Sequence, residues 1–296
     1  DLNSKIDPSN LVAGIYTATV SISDNGTPLA STIASLTFRV VDGFSSLLEK
    51  DSDGDGVSDK VEGWGDDDQD GQPNYLDTVA IPNVINLAVE DGLNFLIEAD
   101  PGLKMVLGER ALFNGKGAKL VLGKLPKELI LPTDSFFKTT EYIDFIVNDL
   151  QMLGQSVNIV LPQRQPIPEN AIYRKFNTTW YTFIENSKNW LMSAPGNEGR
   201  CPPPESTLFR DGLNSGDWCV QMTIEDGGPN DADGLANGSI KDPGGVTNLN
   251  TDTDADTDNL GGGSMGLSLL LLIGLLIYRV AYNSKGNFKY KYPNKG

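Results

Sequence analysis

Residues 142–162 read YIDFIVNDLQMLGQSVNIVLP. Two short runs dense in β-branched and aromatic residues flank a stretch holding Asn148, Asp149 and Gly154. Val, Ile, Phe and Tyr suit a pleated, half-buried surface, whereas Asn, Asp and Gly suit turns. The same texture recurs in NFLIEAD from Asn94, AKLVLG from Ala118, AIYRKF from Ala171, TWYTFIE from Thr179 and CVQMTIED from Cys219. Turn residues separate these runs at intervals of roughly 10–20 residues. ERALF from Glu109 and SKNWLM from Ser187 are single helical turns at most. Residues 79–248 therefore predict one antiparallel β-sandwich or barrel, in a chain that is mainly β.

Upstream, Tyr16, Ala18, Val20 and Ile22 alternate with Thr17, Thr19, Ser21 and Ser23, the period of a strand with one apolar face. Asn25-Gly26 lies in the connecting turn, and SLTFRVVD resumes with Leu36, Phe38 and Val40. Two or three strands cannot bury a core alone. Residues 1–45 therefore read as the last strands of a sandwich whose start is missing. The first residue is Asp1, with no Met and no apolar signal region, so the expectation is the C-terminal piece of a longer exported precursor. Gly14-Ile15-Tyr16 before the strand resembles the tyrosine corner of Ig-like and cadherin-like sandwiches.

Between these regions, residues 51–77 read DSDGDGVSDKVEGWGDDDQDGQPNYLD, ten acids against the single base Lys60. Asp51, Asp53, Asp55, Gly56, Val57, Asp59 and Glu62 fall at positions 1, 3, 5, 6, 7, 9 and 12 of a twelve-residue calcium loop. Carboxylates at alternate positions wrap one hard cation, Gly56 supplies the sharp turn, and Val57 offers its carbonyl. Asp59 sits where a water-mediated contact is usual, and Glu62 closes the sphere. Asp66, Asp68, Asp70, Gly71, Gln72, Asn74 and Asp77 repeat the pattern. Asp77 is one methylene shorter than Glu62, which predicts a second site that is weaker or needs a bridging ligand from its neighbour. Only Gly63-Trp64-Gly65 separates the loops, leaving no room for flanking helices. The spacing resembles thrombospondin type 3 repeats, which implies a calcium-set stiffener over residues 46–78, with Trp64 either covering the ions or simply packing. A third acidic group, Asp226, Asn230, Asp231, Asp233 and Asn237, carries Pro229 at loop position 1 and reads first as a turn cluster. The run DTDADTD over 252–258 lacks the turn glycine and reads as spacer.

The balance of 23 basic to 40 acidic residues gives a net charge of −17, which excludes phosphate-binding partners such as nucleic acid. There is no His, so neither a Ser-His-Asp or Cys-His triad nor a His-based zinc site can be built. No catalytic residue is assigned, and the expectation is a non-catalytic protein. Cys201 and Cys219 are compatible with a disulfide, a free thiol pair or buried apolar filler; in an exported chain the disulfide is the expected form.

From Met265 to Tyr278 no residue is charged, and beyond it lie Arg279, Lys285, Lys289, Lys291 and Lys295 without an acid. Residues 264–282 thus predict a short membrane-spanning helix, with residues 283–296 cytoplasmic and the acidic bulk outside. Residues 249–263 form an Asp/Thr/Gly-rich linker. The order Gly261, Gly262, Gly263, Ser264, apolar helix, Arg279 resembles the GlyGly-CTERM sorting signal of Gram-negative bacteria. That resemblance implies processing near the glycines by a rhombosortase-like intramembrane protease, with the cargo surface-attached or released. The tail here is longer and less Arg-rich than in that signal, which leaves permanent anchoring open.

SAPG from Ser193, CPPP from Cys201, GLNSGDWCVQMTIEDGGPNDADG from Gly212 and NGSIKDPGG from Asn237 are similar to the domain called choice-of-anchor U. The resemblance implies a β-rich surface domain that stands beside different C-terminal anchors and carries no established activity. The leading expectation is a calcium-stabilised cell-surface or secreted protein of adhesive type. One alternative is the anchor region of a secreted hydrolase whose catalytic domain lies upstream. Another is a carbohydrate-binding module in which Trp180, Tyr181 and Trp190 stack on a glycan.

Overall fold

The computed structural model describes residues 10–27, 31–134 and 142–248. All of them lie in one compact unit, Asp1–Asn250; the second unit, Thr251–Gly296, is outside the described residues. The sorting glycines 261–263, Ser264, the helix over 264–282 and Arg279 therefore fall outside them too. Among the described residues no helix is long and apolar enough to cross a membrane.

The chain opens with an antiparallel ribbon of β1 (Gly14–Ser23) and β2 (Ser31–Val40), in register with Tyr16 opposite Phe38. The Tyr16 hydroxyl donates to the Val12 carbonyl at 2.9 Å, the contact a tyrosine corner makes. Val20, Ile22 and Leu36 stay exposed, as expected of two strands that cannot enclose a core. Among the described side chains of the ribbon, Ile15 packs onto the main core.

The acidic segment follows, holding a one-turn helix, α1 (Asp59–Glu62), and a 3-10 turn, Asn74–Leu76. Then come β3 (Val84–Asn86), β4 (Leu96–Ala99), β5 (Lys104–Leu107), helix α2 (Glu109–Asn114), β6 (Ile143–Asn148), β7 (Ser156–Pro162), β8 (Ala171–Phe176), β9 (Trp180–Thr182), β10 (Trp190–Ala194), β11 (Arg210–Asp211), β12 (Cys219–Glu225) and β13 (Ile240–Asn248). They make a six-stranded sheet ordered β11-β10-β12-β7-β4-β3 and a five-stranded sheet ordered β5-β6-β13-β8-β9. Every pairing is antiparallel.

One core lies between the two sheets. Ile97, Ile159 and Met222 enter it from the larger sheet, and Met105, Phe145 and Tyr173 from the smaller, all fully buried. β7 shows why the period matters. Val157, Ile159 and Leu161 face this core, while Val160 points the other way into a small cluster with Ala194, Phe209 and Cys219. The loop closed by the Cys201–Cys219 disulfide, with Cα atoms 5.5 Å apart, brings Cys201 and Trp218 against that outer cluster.

Three local expectations are corrected. SKNWLM is not a helical turn: Asn186 and Asn189 bridge across a tight turn, and Trp190–Ala194 is strand β10 paired with β12. Asn at a turn followed by an aromatic and apolar run favours a strand after a turn. AKLVLG is not a strand: Lys119 makes one isolated bridge to Ile143, and the chain curls into a 3-10 turn at Leu122–Lys124. Pro126 just beyond has no N–H to continue a ladder. TWYTFIE is a strand only over Trp180–Thr182, because Ile184 gives its N–H and carbonyl to the Asn230 side chain instead.

Candidate metal centre

The two acidic loops fold into the same hydrogen-bond pattern, fixed by residue type at each offset. Asp51 and Asp66, at position 1, each accept the position-6 N–H, from Gly56 at 3.0 Å and Gly71 at 3.1 Å. Asp53 and Asp68 accept from Asp55 and Asp70, both at 3.2 Å. Asp55 and Asp70 accept from Val57 at 2.7 Å and Gln72 at 2.6 Å. Gly56 and Gly71 hold φ of 99° and 95°, a conformation open to glycine and strained for other residues. Position 4 is left-handed in both loops as well, by Gly54 and, unusually for a side-chain-bearing residue, by Gln69.

Asp53, Asp55, Asp68 and Asp70 thus each spend one oxygen on their own loop, whereas Asp51 and Asp66 accept with both, also taking the Gly54 N–H at 2.7 Å and the Asp70 N–H at 3.1 Å. Ligand oxygens of Asp51, Asp53 and Asp55 lie within 4.8 Å of one another, and those of Asp66, Asp68 and Asp70 do the same. Asp53 Oδ2, Asp68 Oδ2, Asp70 Oδ2 and Glu62 Oε2 are buried with no hydrogen-bond partner. Gln72 Oε1 is a fifth such atom, while its amide N donates to the Leu76 carbonyl. A buried acceptor without a donor is costly, and a ring of them suits a cation.

Electrostatics agree with that reading. Burial, then the Asp77 and Asp68 charges, pushes the Asp70 carboxyl up to about 9. Burial pushes Asp77 up to about 7, with Asp68 and Asp66 of its own loop and Asp53 of the other adding repulsion. Glu62 is raised to about 7 by burial and by Asp53 and Asp55. Burial also raises Asp53, Asp66 and Asp68. Lys60 does not neutralise its loop, because its Nζ lies 2.6 Å from Glu49 Oε1 outside it.

Position 9 holds each loop together. Asp59 accepts the Ser52 N–H at 2.7 Å and the Ser52 hydroxyl at 2.8 Å, one with each oxygen. Asn74 Oδ1 likewise accepts the Asp67 N–H at 3.0 Å. These side chains brace the loop start across to the loop end. Trp64 packs between Phe44 and Tyr75, at ring separations of 5.1 and 4.7 Å, and donates its indole N–H to the Ser45 carbonyl.

The second loop is tied to the sandwich. Leu107 donates its N–H to the Asp70 carbonyl at 2.8 Å, and a Cβ on Gly71 would lie 2.5 Å from Leu112. Asp70 and Gln72 are 1% and 0% exposed, whereas Asp51 and Asp55 of the first loop face solvent.

The third acidic group uses its oxygens on the main chain. Asp226 accepts from Gly154, Asn237 and Gly238, and Asp231 from Gly227 and Lys241. Asn230 is held by Ile184 and Asn189. This is a braced turn. The aromatic residues considered for glycan stacking do not share a platform. Trp180 sits in the five-stranded sheet, packed on Tyr142 and Phe176 with its indole N–H on the Pro132 carbonyl, and Trp190 sits in the six-stranded sheet. No family model matches the chain, and no curated protein or solved structure is similar to it.

Proposed function

We propose that residues 51–77 hold two calcium ions and that the chain is a calcium-stabilised, non-catalytic module of a bacterial cell surface. The supporting observation is the coincidence of a repeated loop scaffold with inward, buried, unpartnered carboxylate oxygens at positions 3 and 12 of the first loop and 3 and 5 of the second. The first ion would take Asp51, Asp53, Asp55, the Val57 carbonyl and Glu62. The second would take Asp66, Asp68, Asp70, Asp77 and Gln72. Asp59 and Asn74 would serve as braces. All the donors are hard oxygens in a flexible ring, which favours Ca2+ over the smaller, strictly octahedral Mg2+. When bound, the ions would cancel the mutual repulsion of the carboxylates and lock the segment that links the β1–β2 ribbon to the sandwich. The −17 charge and the predicted C-terminal signal favour a setting outside the cell, where calcium is plentiful.

Calorimetric titration of the decalcified chain tests this. Two calcium equivalents should bind at about 10⁻⁴–10⁻³ M, adding roughly 0.4–1.4 kcal/mol of stability per site at millimolar calcium. An unchanged melting temperature between chelator and millimolar calcium would remove the reading.

A further inference from the structure

Lys175 and Asp242 lie wholly buried on adjacent strands, far along the chain from the acidic loops. Lys175 Nζ stands 2.8 Å from Asp242 Oδ1, with both side chains at 0% exposure. Nζ has no partner beyond this one contact, and Asp242 Oδ2 has none. The Tyr173 hydroxyl donates to Asp242 Oδ1 at 3.3 Å, and the buried Tyr181 hydroxyl, on the strand position opposite Lys175, has no partner.

The register explains the contact. Lys175 pairs with Gly244 across β8 and β13, and Asp242 is the diagonal neighbour two residues away on the same face, within reach of a long side chain. A Cβ at Gly244 would meet the Arg174 carbonyl at 2.5 Å and Asp242 Oδ1 at 3.1 Å, so glycine keeps the approach open. On β6 the residue opposite Asp242 is Phe145, fully buried in the core. An ion pair without its full set of hydrogen bonds is a poor occupant of such a place, because desolvation outweighs the attraction. Burial lowers the Lys175 ammonium and raises the Asp242 carboxyl, so both groups are drawn toward their neutral forms.

We infer that Lys175 and Asp242 form an autocatalytic isopeptide bond joining β8 to β13. The ammonium first passes one proton to the carboxylate across the 2.8 Å contact, leaving an amine and a carboxylic acid. The Nζ lone pair attacks Cγ, and the Cγ–Nζ bond forms. A second proton from nitrogen goes to the departing hydroxyl, the Cγ–O bond breaks with its electron pair, and one water leaves. Nothing is oxidised or reduced. Tyr173, already donating to Oδ1, assists the departure of that oxygen as water. Fixed proximity replaces an external catalyst, and the dry core opposes the reverse hydrolysis.

The test is the intact mass of the whole chain after reduction of its disulfide. The reduced protein should be lighter than its sequence by one water, and protease digestion should yield a branched peptide joining Lys175 to Asp242. Lys175→Ala and Asp242→Ala should each restore the full mass. A succinimide at one of the Asp-Gly steps loses the same mass, but it would persist in Lys175→Ala and give no branched peptide. Full sequence mass in the wild type, or a deficit that survives Lys175→Ala, would overturn the inference and leave a buried ion pair only. The wild-type mass together with the presence or absence of the branched peptide decides the matter even if the variants fail to fold.

Discussion

Asp70 is the carboxyl of the acidic segment raised furthest above its ordinary range. Buried among Asp66, Asp68 and Asp77, it holds its proton up to about 9 when no cation is present. Asp70→Asn keeps the acceptor for the Gln72 N–H and spares the folded protein the proton uptake that burial of Asp70 demands at neutral pH. It should therefore stabilise the chelated protein by on the order of 1 kcal/mol, or about 2–4 °C in Tm, while abolishing the second calcium equivalent. A loss of Tm in both conditions would contradict this. The pH dependence carries a definite sign. The folded carboxyls at Asp70, Asp77 and Glu62 bind protons at pH values where the unfolded ones have lost them. Metal-free stability therefore falls as pH rises from the ordinary carboxylate range through about 7 and on to about 9. Calcium replaces those protons, so the rise in Tm on adding calcium should be small near pH 5 and larger near pH 8. Thermal scans at the two pH values check it, and an equal rise at both would count against carboxylate ligation.

At the scale of elements, the two loops are alike in backbone and unlike in surroundings. Gly56 and Gly71 share the same left-handed turn, yet a Cβ on Gly56 meets nothing within 4 Å while one on Gly71 runs into Leu112. Gly56→Ala should cost about 1 kcal/mol, the backbone term alone. Gly71→Ala should cost roughly 1–3 kcal/mol more through displacement of α2. Chemical denaturation of both variants in chelator compares them directly, and equal losses would mean that the second loop does not lean on the sandwich. The disulfide is the other element-scale lock. It closes 18 residues over the outer cluster of Val160, Ala194 and Phe209. Cys201→Ala with Cys219→Ala should lower stability by about 3 kcal/mol, visible in the urea midpoint. The loops were legible in the sequence because their bonds run between residues at most seven apart. The bracing role of Asp59 and Asn74 was missed because a position-9 oxygen suits metal and main chain equally.

For the whole molecule, the first loop is the open part of the acidic segment and the second is buttressed. Chelation should make residues 51–58 the first site of limited proteolysis, with 66–77 cut later or not at all. Cleavage that does not respond to chelator would argue against a calcium-set stiffener. The strand content of 142–162 could be read directly, since two apolar runs flanking a turn specify two strands. That they belong to opposite sheets could not: β6 takes β5 and β13 as neighbours, and β7 takes β4 and β12. Composition fixes how a segment behaves toward its immediate neighbours, so the antiparallel β character and the repeated acidic loops followed from residue types at short offsets. Partners far along the chain are chosen by which faces can share one core. Tyr173 and Asp242, 69 residues apart, meet only because β13 inserts between β6 and β8. Lys175 is ordinary in the sequence, and only that insertion places it in the dry interior beside Asp242.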